Sequence, residues 1–177
     1  MLIEARGGTG WKGVVRGRLP DTGVRGTADV LQPMERVLLL QGNPLLAGAT
    51  SGHLLRLAAI AREVPLVPGT ALVRDSDDLA AYLVVRGALR IEVPGTAPVT
   101  AQPGDAVGLY ETLADVHAGA TVVVSEAGTA LRIDGRDLFD LLAADVELLQ
   151  GLFGVFFGRD ANRFVLESAS PVPLFVV

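Results

Sequence analysis

The stretch VGLYETLADVHAGATV, residues 107–122, follows a Pro-Gly-Asp turn and runs into a valine-rich segment. It reads as a glycine, a short helical piece and an Ala-Thr pair that opens a strand. Outward from it on both sides lie the runs VPLVPGTALV (64–73), AAYLVVRGALRIEV (80–93), PVTAQPGDAVG (98–108), ATVVVSEAG (120–128) and TALRID (129–134). They are short and rich in Val, Ile, Leu and Thr. Gly, Pro and Asp punctuate them at the spacing of a β-sandwich or roll. The helical piece is therefore an insertion between strands of one β domain.

Helical patterns flank this block. PMERVLLLQG places Pro33 at a helix start and Gly42 at its end. In NPLLAGATSGHLLRLAAIARE (43–63), Ser51 is the expected N-cap, and Leu54, Leu57, Ala58 and Ala61 fall on one face. His53 lies in the first turn and is expected to be solvated. Residues 135–164 form the last helical pattern, with Asp137 placed to suit the helix dipole. Gly151, Gly154 and Gly158 are poor helix formers that would bend or end it. The domain organisation read from this is a flexible Gly- and Arg-containing arm over 1–32, carrying Trp11, a core domain over 33–164, and an apolar Pro-containing tail over 165–177.

The 177 residues suit one domain with extensions, large enough to bury a core without disulfide or metal staples. Half of them are apolar and the net charge is −5. A mean hydropathy of +0.43 leaves apolar surface for a partner. The acidic balance argues against nucleic acid as a partner. No apolar run reaches the roughly 18 residues of a membrane span, and the N-terminus lacks the pattern of a signal peptide. There is no Cys, which excludes thiolate metal sites and leads to an expected cytoplasmic setting. Lys12 is the sole lysine, read as a compositional bias. Asp75, Asp77 and Asp78 in RDSDDLAA (74–81) lack the other ligands of a calcium loop and read as a solvated turn.

The order of helix, β-roll with a small inserted helix, and long C-terminal helix resembles the cyclic nucleotide-binding domain. That family includes the effector domain of the bacterial catabolite activator and the regulatory subunits of cyclic-AMP-dependent kinase. The phrases NPLLAGATSGHLLRLA, VPGTALV, AYLVVRGALRI, QPGDAVG, GATV and ALRIDGRDLFDLL carry the resemblance in order over roughly residues 43–157. It implies a mainly β fold with flanking helices, a double-stranded β-helix or jelly roll with N-terminal helices, a short cassette helix and a long C-terminal helix.

The family's phosphate-binding cassette uses a glycine, a glutamate after it for the ribose hydroxyl, amides at the small helix, an arginine about ten residues on, and a closing Ala-Thr or Ala-Ser. Gly108, Ala120 and Thr121 match the glycine and the closing pair without a gap. The glutamate position holds Leu109 and the arginine position Ala118, preceded by His117. Glu111 comes two residues late. Arg132 and Arg136 lie beyond the cassette and have no place in it from sequence. A cyclic phosphate stays anionic at neutral pH, and removing one partner of a buried charged pair loses about 3–5 kcal/mol. The resemblance thus implies a shell that retains backbone shape and has lost cyclic-nucleotide binding.

Other functions fit the residues less well. His53 and His117 are the two histidines and stand far apart, so a cupin-type metal site is not expected. No nucleophile or phosphate-loop motif occurs, so the chain reads as a non-enzyme without cofactor or metal. About 13 residues follow Phe164, too few and too proline-broken for the helix-turn-helix that catabolite activators carry there. What remains is a regulatory or interaction module, with a ligand sensor using a non-standard cassette as the alternative. The segment LFDLLAADVELLQGLFGVFF (138–157) carries more apolar residues than one face can bury. A protein partner or homodimer is expected through this helix, with Phe153, Phe156 and Phe157 as anchors, and possible attachment to a larger or membrane-associated assembly is part of the same expectation.

Overall fold

The structure, a computed structural model, describes residues 14–19, 31–73, 79–114 and 119–154. Its first elements are α1 (Pro33–Gln41), a 3₁₀ turn (Pro44–Leu46) and α2 (Ser51–Ile60). Pro33 opens α1 and Gly42 closes it, as the sequence indicates. The α2 cap is Thr50 rather than Ser51: the Thr50 side chain accepts from the His53 backbone N–H. His53 is correspondingly buried instead of solvated, because its ring turns back to accept from Thr50 N–H and closes a reciprocal capping box.

The sheet has six strands among the described residues: β1 (Arg62–Leu66), β2 (Ala71–Val73), β3 (Ala80–Glu92), β4 (Val99–Ala101), β5 (Ala106–Val107) and β6 (Thr121–Asp134). All pairings are antiparallel, in the order β1-β6-β3-β4, with β2 also on β6 and β5 also on β3. Two of these strands, β3 and β6, are long, and each bends and pairs with several others. The segments read as separate runs at 120–128 and 129–134 are the continuous β6. The bend is made where glycines meet. Gly87 has φ +81°, and a Cβ there would stand 2.6 Å from the Glu126 carbonyl oxygen. A Cβ at Gly128 would stand 2.1 Å from the Arg86 carbonyl oxygen. Without side chains the two backbones can close on each other, and the β3–β6 register shifts through this region.

The alternation along the bent strands separates two cores. Leu83, Val85, Leu131 and Ile133 face the helices and join Leu39, Leu57, Leu138 and Leu148. Tyr82, Val84, Leu89, Val124 and Ala130 face the inside of the roll. The cassette helix is α3 (Leu109–Ala114), and β6 leads directly into α4 (Gly135–Ala144).

The C-terminal segment read as one helix is two over its described part, α4 and α5 (146–154). The break falls at Asp145 (φ −138°, ψ 86°), not at a glycine. Asp145 is buried, and its carboxylate accepts from Leu148 N–H at 3.0 Å, capping α5. The same carboxylate pairs with Arg56 Nη1 at 2.6 Å and faces His53 Nε2 at 3.5 Å. A helix start on the far side of the break is thus tied to α2. The arm assigned to 1–32 is likewise not free throughout. Val14 and Val15 are buried, and Val15 bridges to Ala106. The tail 165–177 lies outside the described residues.

Candidate functional site

The cassette begins where β5 ends. Gly108 has φ +79°, and a Cβ there would lie 2.6 Å from the Ala80 carbonyl oxygen, so the chain can turn against β3 only as glycine. α3 starts at once. The Gly108 carbonyl accepts from Thr112 N–H at 2.9 Å and from Thr112 Oγ1 at 2.7 Å. Thr112 is fully buried, with Cγ2 against Gly135 at the start of α4. The cassette helix is thereby packed onto the first turn of the C-terminal helices. At the other end Gly119 has φ +66°, Ala120 packs on the roll's inner core, and Thr121 opens β6 opposite Glu92. His117 and Ala118 lie outside the described residues.

Leu109 packs with Leu113 against the helix-side core. It lines a small cavity, about 40 Å³, with Leu40, Leu57, Leu138 and Leu152. Asn43 and Tyr82 also line it. Two residues on, Glu111 is 8% exposed, and neither carboxylate oxygen has a hydrogen-bond partner among the described residues. Burial pushes its carboxyl above the ordinary range, while its own backbone amide pulls more weakly the other way. The cassette helix therefore carries a buried acid.

Arg132, which sequence alone leaves unplaced, stands opposite Tyr82 in the β3–β6 register and shares its face, toward the inside of the roll. The signal for this is the alternation around it: Leu131 and Ile133 point to the helices, so Arg132 points the other way. Its Nη2 holds Asp134 at 2.6 Å, and its buried Nε has no hydrogen-bond partner among the described residues. Tyr82 donates to the Leu72 carbonyl at 3.3 Å. Burial raises its phenol pKa, against the pull of the Arg132 charge. An incoming anion at Arg132 would compete with Asp134. Arg136 is exposed. Among the described residues, no three acidic or histidine side chains gather as a metal site.

The outer side of α5 mixes apolar Val146 and Phe153 with polar Glu147 and Gln150. Leu148 and Leu152 point inward, whereas Val146 and Phe153 are exposed, Phe153 by 42%. Phe156 and Phe157 lie outside the described residues. Asp137 falls in the first turn of α4 as expected and faces Arg62 Nη2 at 3.3 Å. No described helix is long and apolar enough to cross a membrane.

No protein-family model matches the sequence. No curated protein matches it either. Solved structures do. The N-terminal domain of a transcriptional regulator from Streptomyces coelicolor A3(2) is 22% identical, with 76% of this chain and 98% of that one covered, at a TM-score of 0.59. The sensor domain of the transcriptional regulator DNR from Pseudomonas aeruginosa is 17% identical, with 80% and 98% covered, at 0.60. The regulatory domain of Toxoplasma gondii PKA, solved with cAMP, is 18% identical over 67% of this chain and 48% of that one, at 0.55. The chain shares the β-roll fold of these structures. At these identities the likeness is one of fold.

Proposed function

We propose that this chain is a non-enzymatic regulatory or protein-interaction module on a cyclic nucleotide-binding fold, and that its cassette no longer takes a cyclic nucleotide. The observation that carries this reading is the charge of the cassette. Between Gly108 and Thr121 there is no Lys or Arg, the acid position is Leu109 packed into the helix-side core, and Glu111 adds a buried carboxylate. A site with that balance repels a phosphate. Losing one partner of a buried charged pair lowers affinity by about 3–5 kcal/mol, or by a hundredfold to several-thousandfold.

Isothermal titration with cyclic AMP and cyclic GMP tests the proposal. No heat of binding is expected at micromolar ligand. A dissociation constant below about 10 μM, or the thermal stabilisation such binding brings by mass action, overturns it.

The output of such a module is assembly. Val146, Leu149 and Phe153 are spaced three and four apart along α5, and Phe156 continues the spacing in the sequence. That is the spacing of a helix-pair seam, with Val146 and Phe153 exposed and Leu149 partly packed on the helix-side core. It supports a homodimer or a protein partner at the C-terminal helix, within a larger or membrane-associated assembly. One observation favours a second reading, a sensor with a non-standard cassette: an unpartnered buried carboxylate at Glu111 suits a ligand that brings hydrogen-bond donors rather than a phosphate.

A further inference from the structure

Residues 14–19 of the arm lie along the edge of β5, joined to it by the antiparallel bridge of Val15 with Ala106. Val15 N–H donates to the Ala106 carbonyl at 2.9 Å, and Ala106 N–H returns the bond to Val15 at 2.9 Å. Val14 enters the core inside the roll, and Val15 enters the helix-side core. The two neighbouring side chains thus close both layers. Arg16 Nη1 donates to Asp105 Oδ2 at 2.7 Å and to the Thr100 carbonyl at 3.0 Å. Gly17 N–H donates to Asp105 Oδ1 at 3.2 Å, and Arg18 N–H reaches the Gly42 carbonyl at 3.3 Å.

Each position is selected by a different physical feature. Asp105 is 3% exposed, and besides these two groups its carboxylate accepts, among the described residues, only from Gln102 N–H, at 2.8 Å. A buried carboxylate with so few local donors favours a cation beside it. At the next position the backbones touch. A Cβ on Gly17 would fall 2.0 Å from the Gly104 carbonyl oxygen, and one on Gly104, at φ +94°, would fall 3.0 Å from the Gly17 carbonyl oxygen. Nothing but glycine fits opposite Gly104. The edge therefore reads an apolar residue, then arginine, then glycine, in extended conformation.

From this geometry we infer that the edge formed by Thr100, Gly104, Asp105 and Ala106 is a peptide-binding slot for an extended apolar–Arg–Gly segment, and that residues 15–17 occupy it as a displaceable internal strap. The partner is a protein that presents such a segment and adds it as a strand. The tripeptide Val-Arg-Gly recurs at 24–26 in the arm, so the chain carries a further candidate ligand of its own. This slot is separate from the cassette and does not depend on the reading of the nucleotide site.

The test uses full-length protein and a fluorescein-labelled peptide of the sequence Gly-Val-Val-Arg-Gly-Arg-Leu, followed by anisotropy. In the wild type the internal strap competes at high effective concentration, so binding is weak. Gly17→Val expels the strap and should tighten peptide binding at least tenfold. Adding Asp105→Asn should abolish that gain, and a peptide with Val at its fifth position should not bind. Should Gly17→Val fail to fold by circular dichroism, Arg16→Ala, which trims a half-exposed side chain, serves the same comparison. Equal affinity of wild type and strap variant, or equal binding of the Val-substituted peptide, overturns the proposal.

Discussion

Replacing Asp145 with Ala should destabilise the protein by up to about 2 kcal/mol, the sum of two parts that can be measured apart. The first is the cap. Oδ1 accepts from Leu148 N–H at 3.0 Å at the start of α5, and losing an N-cap acceptor costs about 1 kcal/mol. The second is the ion pair with Arg56 at 2.6 Å. Its acid is buried but the Arg56 side chain is 59% exposed. Solvent screening keeps such a pair at about 0.2–1 kcal/mol. Asp145→Asn keeps an acceptor for Leu148 and removes the charge, so it should lose less than half as much as Ala. For a chain of this size about 1 kcal/mol moves Tm by roughly 2–4 °C, which puts the Ala variant up to about 4–8 °C below wild type. Urea unfolding with an unchanged m-value gives the free energies. A double-mutant cycle of Asp145→Asn with Arg56→Leu gives the pair. If Asn loses as much as Ala, charge rather than capping holds the junction. If Ala loses less than about 0.5 kcal/mol, Asp145 does not fix the turn between α4 and α5, and the account given of that junction is wrong.

Gly108→Ala should lose more than about 1 kcal/mol, because φ +79° is strained for alanine and its Cβ would meet the Ala80 carbonyl oxygen at 2.6 Å; an unchanged urea midpoint would contradict this. Glu111 should make stability fall as pH rises. Its folded pKa is raised by burial, so below the ordinary carboxylate range both states are protonated and no penalty exists. As pH rises through about 4.3 the unfolded chain ionises first, and the penalty grows until the folded carboxyl ionises as well. Glu111→Gln should remove this slope, and parallel pH profiles for the two proteins from pH 4 to 7 would refute it. Phe156→Ser with Phe157→Ser should weaken assembly in sedimentation while circular dichroism still reports a folded roll. A wild type that is monomeric alone and with its native partner, or a variant that unfolds, would end the case for a helix-mediated contact.

Much of the fold was legible because its signals are local. Pro33 and Gly42 punctuate α1, Gly108 and Ala120–Thr121 bracket the cassette, and period-2 runs mark the strands. What escaped is set by distant partners. His53 looks like any first-turn polar residue until Thr50 and Asp145 are seen on either side of it. Asp145 sits in a run of apolar residues that reads as one helix, and its capping of α5 depends on a backbone turn that propensity does not encode. Asp105 passes for an ordinary turn residue, since the arginine that selects it lies 89 positions away. In the site, the resemblance alone assigns Leu109 and Ala118 to cassette positions, and Ala118 lies outside the described residues, whereas the burial of Glu111 and the inward face of Arg132 depend on which way each element is rotated.

The facing glycines at 87 and 128 also bear on how the chain reaches its native state. β3 and β6 pair along their whole length, from Glu92 with Thr121 at one end to Ala80 with Asp134 at the other. Pairing is entropically cheapest at the Glu92–Thr121 end, where the intervening loop is shortest. From there the ribbon must zip toward Ala80, and Gly87 with Gly128 is the bend it has to pass. Two residues without side chains make that passage smooth. A methyl group at either would act as a brake, slowing folding through the non-local pairing that sets the pace of β-rich domains.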